Sequence, residues 1–310
     1  MLSKLNLNIL GNAPMALAVS GGPDSMAMLH MMHGKEIRFV ALTVNHNLRA
    51  EALEEAQYVG FVCRELGIEH VILEWKHEGV TSNVHDQARD ARYSLMTDWC
   101  NAHDVKTLCT AHHMDDRLEH FLIRVSRGAG LLGLIDHDEM LYNGVMIARP
   151  MFAFTKQELI DYLQLKEVKY FEDKSNLDPK YLRTNIRKWL DAMPPELEPE
   201  LFRKRVIGVK ENLARASQVI QRVFEEEMGR VMFDNSTATI MELPQDEEIV
   251  LMMLSHILPQ VSGQTDPPRM ESMKKLYESL QNNTSKTTLC GCIIEKKKDR
   301  IIVSKENGRC

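Results

Sequence analysis

The chain has 310 residues, 44% of them apolar and 26% charged, with a formal net charge of −6. That length suits two domains, and that balance belongs to a folded, water-soluble chain, not a disordered one. No apolar run approaches the ~18–20 residues of a membrane span, and residues 1–8 carry one lysine and no apolar core, so a cytoplasmic protein is expected. The charge is uneven: residues 267–310 hold ten Lys and Arg against five Asp and Glu, which puts about −11 on the remainder. A basic end on an acidic body suits a phosphate backbone, although a solvated lysine-rich edge has the same composition. Six cysteines, at 63, 100, 109, 290, 292 and 310, form no C-x-x-C pair and no zinc-finger spacing, so they are expected to be structural thiols in a reducing compartment.

In chain order, the first ~170 residues alternate short apolar runs with longer amphipathic ones. Strands are expected at 15–20, 39–45, 71–75, 107–111 and 145–148. Helices are expected after the glycine turn at 21–22, over 51–66 and 84–100, from 115 to 127, and over 155–165 with Thr155 as N-cap. Strands alternating with helices predict βαβ units, and so an α/β fold with a doubly wound, mainly parallel sheet. A turn-rich stretch and the acidic break at 194–200 precede a long helix, about 201–228. A short strand-like piece beyond 234, two helices, near 249–258 and 270–280, and strands near 290–295 and 300–304 then make a small α+β module. The expected division is a catalytic domain at 1–190, a helical linker at 191–235 and a C-terminal module at 236–310.

Ser20-Gly21-Gly22-Pro23-Asp24-Ser25 lies where an α/β nucleotide site is expected, between the first strand and the first helix. The glycines allow close backbone approach, the hydroxyls of Ser20 and Ser25 can donate, and the helix N-terminus favours an anion. Pro23 suits the first helical turn. A carboxylate beside phosphates repels them, so Asp24 makes sense with a Mg²⁺ between. The run lacks the P-loop and dinucleotide-fold fingerprints. Further on, Asp116 and Glu119 are three apart at a helix start, so both carboxylates share one face. They can receive an ammonium ligand or simply balance the helix dipole.

The S-G-G-x-D-S run resembles the PP-loop of the ATP pyrophosphatases. Ala111-His112-His113-Met114-Asp115-Asp116, continuing through Glu119 to Arg124 and then Arg127-Gly128-Ala129-Gly130, is similar to the signature of the tRNA(Ile)-lysidine synthetases. Asn45-His46-Asn47-Leu48-Arg49, Ala88-Arg89-Asp90-Ala91-Arg92-Tyr93, Arg149-Pro150, Glu158-Leu159, Glu172-Asp173, Ser175-Asn176-x-Asp178 and the 267–292 stretch match the same pattern in order. The resemblance implies a PP-loop ATPase domain that uses ATP and Mg²⁺ to adenylate the wobble cytidine of a CAU-anticodon tRNA(Ile), after which free L-lysine attacks C2. It implies that Ser20, Gly21, Gly22, Pro23, Asp24, Ser25, His46, Arg92 and His112 bind ATP, with Asp24 on the metal. Asp116 and Glu119 would hold the lysine, and Arg127, Arg183, Arg187 and Arg269 would contact tRNA. Asp24, Arg92, Asp116 and Glu119 form its implied catalytic set. Monomer and homodimer are both compatible with it.

Three positions depart from the pattern. His120 replaces a usual Thr, Asn185 replaces a usual basic residue, and a second C-terminal module is not seen, as in the short form of the family. Other PP-loop chemistries stay open: a tRNA thiolase, against which the missing C-x-x-C speaks, or an amidating synthetase, which needs a glutaminase. A non-catalytic nucleotide sensor on the same sheet would need neither Asp116 nor Glu119.

Overall fold

The computed structural model describes residues 2–10, 14–48, 51–77, 84–135, 139–172, 182–234, 236–264, 266–282 and 285–306. Arg49, Asp173 and the Ser175–Asp178 part of the pattern lie outside the described residues, as does Cys310. The chain divides into two units, Met1–Leu213 and Ala214–Cys310.

The first unit runs β1 (Met15–Ala18), α1 (Pro23–His33), β2 (Val40–Asn45), α2 (Glu51–Glu65), β3 (Glu69–Glu74), α3 (Val84–Ala102), β4 (Thr107–Cys109), α4 (Met114–Ser126), α5 (Leu131–Leu134), β5 (Glu139–Tyr142), β6 (Val145–Ala148), α6 (Lys156–Leu165) and α7 (Leu182–Asp191). The strands form one sheet in the order β3-β2-β1-β4-β6-β5, parallel except for β5. Both faces are buried, which is why these strands read as continuous apolar runs and not as alternating ones. Leu17, Ala41 and Cys109 point into one core with Met26, Met28, Leu29 and Phe154. Ala16, Leu42 and Leu108 point into the opposite core, against Tyr93, Met96 and Cys100 of α3. Burial raises the Cys63 and Cys100 thiols to about 11 and the Cys109 thiol to about 12, as inert structural thiols require.

Three first-unit elements were absent from the sequence expectation: the short α5, β5 and α7. β5 is an antiparallel edge strand joined to β6 by Asn143 and Gly144, both at positive φ, a two-residue hairpin turn. α7 packs Ile186 and Leu190 beside Leu118 of α4 and Ile207 of α8 (Pro199–Met228). The N-terminal part of α8 belongs to the first unit and the rest to the second.

The second unit adds β7 (Met232–Asp234), β8 (Thr237–Ile240), α9 (Glu247–Ser262), α10 (Met270–Gln281), β9 (Lys286–Leu289), β10 (Cys292–Lys296) and β11 (Ile301–Lys305). Its sheet is antiparallel, ordered β7-β8-β11-β10-β9, and one face buries Ala238, Ile240, Ile294 and Val303 against α9 and α10. β8, β10 and β11 answer to the three late strands expected, and β7 and β9 extend them. Among the described residues, no helix is long and apolar enough to cross a membrane.

Candidate active site at the carboxyl ends of β1 and β4

β1 and β4 are neighbours, yet their connections leave to opposite sides of the sheet, β1 toward β2 and β4 toward β6. A crevice forms at such a switch point, outside the carboxyl ends of the strands. The run Ser20–Ser25 leaves β1 there, and His112 and His113 leave β4 there.

The PP-loop-like turn is held by its own hydroxyls. Ser20 N–H donates to Ser25 Oγ at 3.1 Å, Ser25 Oγ donates to Gly22 O at 3.0 Å, and Gly22 caps α1 with Pro23 in the first turn. Gly21 has φ +83°, a conformation glycine adopts without strain. Phe171 N–H donates to Gly21 O at 3.0 Å, so the segment after α6 closes over the turn. The Phe171 ring meets Tyr58 edge-on, and the Lys169 ammonium lies near both rings.

Asp24 is not free at the mouth of the turn. Both its oxygens accept from Lys156 Nζ, at 2.7 and 2.9 Å. Lys156 opens α6 under a capping box between Thr155 and Glu158, and its backbone N–H donates to Asp115 Oδ2 at 2.7 Å. Asp115 also accepts from Arg203 Nε at 3.1 Å. Burial would raise the Asp115 pKa, but His113, the Lys156 amide and Arg203 outweigh it and bring it down to about 2.

The His113 ring joins these groups. Its Nε2 lies 3.7 Å from Asp24 and 3.4 Å from Asp116, and its Nδ1 lies 3.6 Å from Asp115. Burial opposes its charge, but Asp116, Asp115 and Asp24 prevail and raise its pKa. Its neighbour His112 meets the reverse fate. Burial, with Arg149, Arg89 and Arg92 nearby, lowers His112 to about 3 against the pull of Asp116, so its ring is neutral. His112 Nδ1 lies 2.9 Å from Thr110 Oγ1. The pKa values of two adjacent histidines are therefore shifted in opposite directions.

Asp116 caps the backbone N–H of His113 at 3.1 Å. Burial pushes its pKa up, yet His113, His112 and Arg183 bring the net shift down. Glu119, one turn on, is 1% exposed. Arg187 reaches it with two hydrogen bonds, Nε to Oε1 at 2.7 Å and Nη2 to Oε2 at 3.0 Å, and Arg183 Nε lies 3.1 Å from Oε2. Burial still leaves the Glu119 pKa raised. Asp24 and Asp116 also act on Arg187, so the turn and the two carboxylates belong to one site.

The remaining expected residues lie on other elements, Arg92 near His112. Arg92 lies on α3 beside Arg89, both near the Tyr93 ring, and burial lowers its pKa. His46 closes β2, edge-on to Trp75 at 6.0 Å. Arg127 is exposed at the C-terminal end of α4, about 16 Å along the helix from Asp116. Arg269 is exposed at the start of α10 in the second unit. Sequence reading missed Lys156, Asp115, Arg203 and the central position of His113. His113 and Asp115 stand inside the quoted motif, and Lys156 follows the expected cap Thr155; Arg203 carried no local signal.

A family model for a PP-loop domain matches residues 2–193. The chain is 38% identical to a tRNA(Ile)-lysidine synthase of Orientia tsutsugamushi over 96% of its own length and 71% of that protein's. It is 34% identical to one of Wolbachia pipientis, covering 98% and 73%. Among solved structures, the U34-tRNA thiolase NcsA of Methanococcus maripaludis superposes with a TM-score of 0.54 over 70% of this chain and 75% of that one; at 20% identity the likeness is one of fold.

Proposed function

We infer the reaction from one premise: the chain belongs to the tRNA(Ile)-lysidine synthase family of PP-loop proteins. It is an ATP-dependent ligase that joins free lysine to C2 of the wobble cytidine in a CAU-anticodon tRNA(Ile). The cytidine O2 attacks the α-phosphorus, the α–β bond breaks and pyrophosphate leaves. The lysine ε-amine then attacks C2, loses a proton, and the C2–O bond breaks to release AMP. Decoding changes from AUG to AUA.

The roles of individual residues form our proposal. The observation that carries it is His113, within 3.7 Å of Asp24 in the PP-loop and 3.4 Å of Asp116 on α4, which ties a phosphate cradle to an acidic pocket. Ser20, Gly21, Gly22, Pro23 and Ser25 cradle the phosphates through backbone N–H groups and hydroxyls, with His46 toward the adenosine. Arg92 stabilises phosphate charge with a guanidinium fork. His112, neutral, can give or accept a hydrogen bond without adding charge. Asp116 and Glu119 hold the lysine ammonium, and one of them takes its proton.

Asp24 fits a Mg²⁺. Its two oxygens already clasp a cation, the Lys156 ammonium, so the position accepts positive charge. One carboxylate plus phosphate oxygens and water is the usual donor set for that ion, which would neutralise the phosphates. Lys156, displaced from Asp24, then becomes a counter-charge at the same mouth. Arg183, Arg187, Arg127 and Arg269 meet tRNA phosphates, and the target base enters from a single-stranded loop without duplex opening. The substrates place the reaction in the cytoplasm, and a homodimer is the assembly to test by sedimentation.

The test is transfer of radiolabelled lysine to unmodified CAU tRNA(Ile) with and without ATP. ATP-dependent labelling, lost in Asp24→Ala and Glu119→Ala, is expected. Labelling that survives both substitutions would remove these residue roles.

A further inference from the structure

The PP-loop is fastened from behind by hydrogen bonds that cross three adjacent strands. Val19, between β1 and the loop, gives its carbonyl to Thr43 Oγ1 of β2 at 2.7 Å. The same hydroxyl lies 2.8 Å from His70 Nε2 of β3. Since β3, β2 and β1 are consecutive in the sheet, the chain of bonds runs from the outer strand to the loop.

Counting hydrogens fixes its direction. A hydroxyl has one hydrogen and a carbonyl can only accept, so Thr43 donates to Val19. Thr43 must then accept from His70, whose ring hydrogen is on Nε2. The other face of that ring is pressed against α2: a Cβ at Gly60 would lie 3.0 Å from Nδ1 and 3.4 Å from Cε1. Gly60 thus leaves the room the ring needs. Beyond it the ring borders a surface cleft with Gln57, Arg64, Ile68 and Ile72. Burial lowers the His70 pKa, which favours the neutral ring that this arrangement uses.

The far end of the relay sets a peptide plane. Val19 N–H makes its strand bond to Leu42 O at 2.8 Å, after which the chain turns into the loop. The carbonyl of Val19 and the N–H of Ser20 belong to one planar trans unit and point in opposite directions. Holding the carbonyl on Thr43 therefore aims the Ser20 N–H, which donates to Ser25 Oγ inside the loop.

We propose that Thr43 and His70 are positioning residues for the nucleotide site: His70 orients the Thr43 hydroxyl, and Thr43 orients the Val19–Ser20 peptide that shapes the PP-loop. This rests on the reading of 20–25 as the ATP cradle. Both act through the Val19–Ser20 backbone.

Direct ATP binding tests it, in the full chain, with tRNA binding and thermal melting measured alongside. Thr43→Val removes the hydroxyl and is expected to weaken ATP about tenfold while tRNA affinity stays within about twofold. Thr43→Ser keeps a hydroxyl and should restore most of the affinity, which a purely structural role for the threonine methyl would not do. If Thr43→Val does not fold, His70→Leu, at the outer strand, carries the test with an expected loss of about threefold. Variants that melt lower yet bind ATP like wild type would overturn the proposal. Ser25→Ala separates this from failure of its premise: unchanged ATP affinity there would mean that 20–25 is not the cradle.

Discussion

Arg187 of α7 makes a two-bond ion pair with Glu119 of α4, and Arg183, one turn earlier on α7, faces the same carboxylate. The carboxylate proposed to receive the lysine ammonium is thus already neutralised by the two cations proposed to meet tRNA. One guanidinium cannot serve a carboxylate and a phosphate fully at once, so the proposed roles predict that the two substrates are coupled through α7. On that prediction, Arg187 drawn to the tRNA backbone would leave Glu119 open to lysine. Arg187→Ala is therefore expected to bind free lysine more tightly than wild type in the absence of tRNA and to bind tRNA roughly tenfold more weakly. Equilibrium binding of labelled lysine, with and without tRNA, checks both. Lysine binding that does not respond to the substitution would disprove the coupling.

Asp24 and Lys156 make the analogous prediction for the phosphate side. Removing the ammonium leaves Asp24, less than a third exposed, without its strongest partner. Lys156→Met is expected to lower the Mg²⁺ concentration needed for half-maximal ATP binding, because the ion no longer competes with an ammonium. At saturating Mg²⁺ the same variant should bind ATP several-fold more weakly, since a cation near the phosphates is gone. A Mg²⁺ titration of ATP binding reads both effects. An unshifted midpoint would show that Asp24 is not where the ion binds.

The acid side of stability follows from His112 and Asp115. His112 is held neutral down to about 3 against an unfolded value of 6.5, so the folded site resists protonation that the unfolded chain accepts. A depressed pKa gives stability that is present above the unfolded value and lost as pH falls, here from 6.5 toward 3. Asp115, at about 2 against 3.8, adds a loss on the order of 2 kcal/mol below pH ~4. His113 has the opposite sign: its raised pKa contributes below 6.5 and is lost as pH rises through its folded value. Urea unfolding of wild type and His112→Gln across pH 4–8 is expected to show a shallower acid slope in the variant.

Much of this was legible in the chain. The PP-loop turn, the strand alternation and the 111–133 signature are local patterns, and each residue type there follows from local chemistry. The edge strand β5 was missed although Asn143-Gly144 signals a hairpin, because only four residues precede the turn and none alternates cleanly. α7 was missed although Leu182, Ile186 and Leu190 recur at helical spacing, because the segment is short and mostly polar; Ile186 and Leu190 secure it against other helices. Partnerships across distance left no trace. Asp24 and Lys156 are 132 residues apart, Asp115 and Arg203 are 88 apart, and only the fold decides which cation meets which carboxylate.

The two glycines of the PP-loop separate the requirements of the fold from those of the ligand. Gly21 sits at φ +83°, where an L-residue is strained by roughly 1–2 kcal/mol. A Cβ there would meet Phe171 at 3.4 Å and Val59 at 3.5 Å, ordinary contact distances, so the cost lies in the backbone conformation. Gly22 has φ −73° and ψ 164°, which any residue adopts, and the nearest atom to its Cβ would be Ser20 Oγ at 3.4 Å. Gly21→Ala is thus expected to lower the melting temperature by several degrees and to weaken ATP as a consequence. Gly22→Ala should melt within about a degree of wild type, yet bind ATP at least tenfold more weakly, because the methyl group would stand beside the Ser20 hydroxyl proposed to donate to the phosphates. Melting and ATP affinity measured on both variants distinguish the two cases. A Gly22→Ala variant with wild-type ATP affinity would place the phosphates elsewhere on the loop.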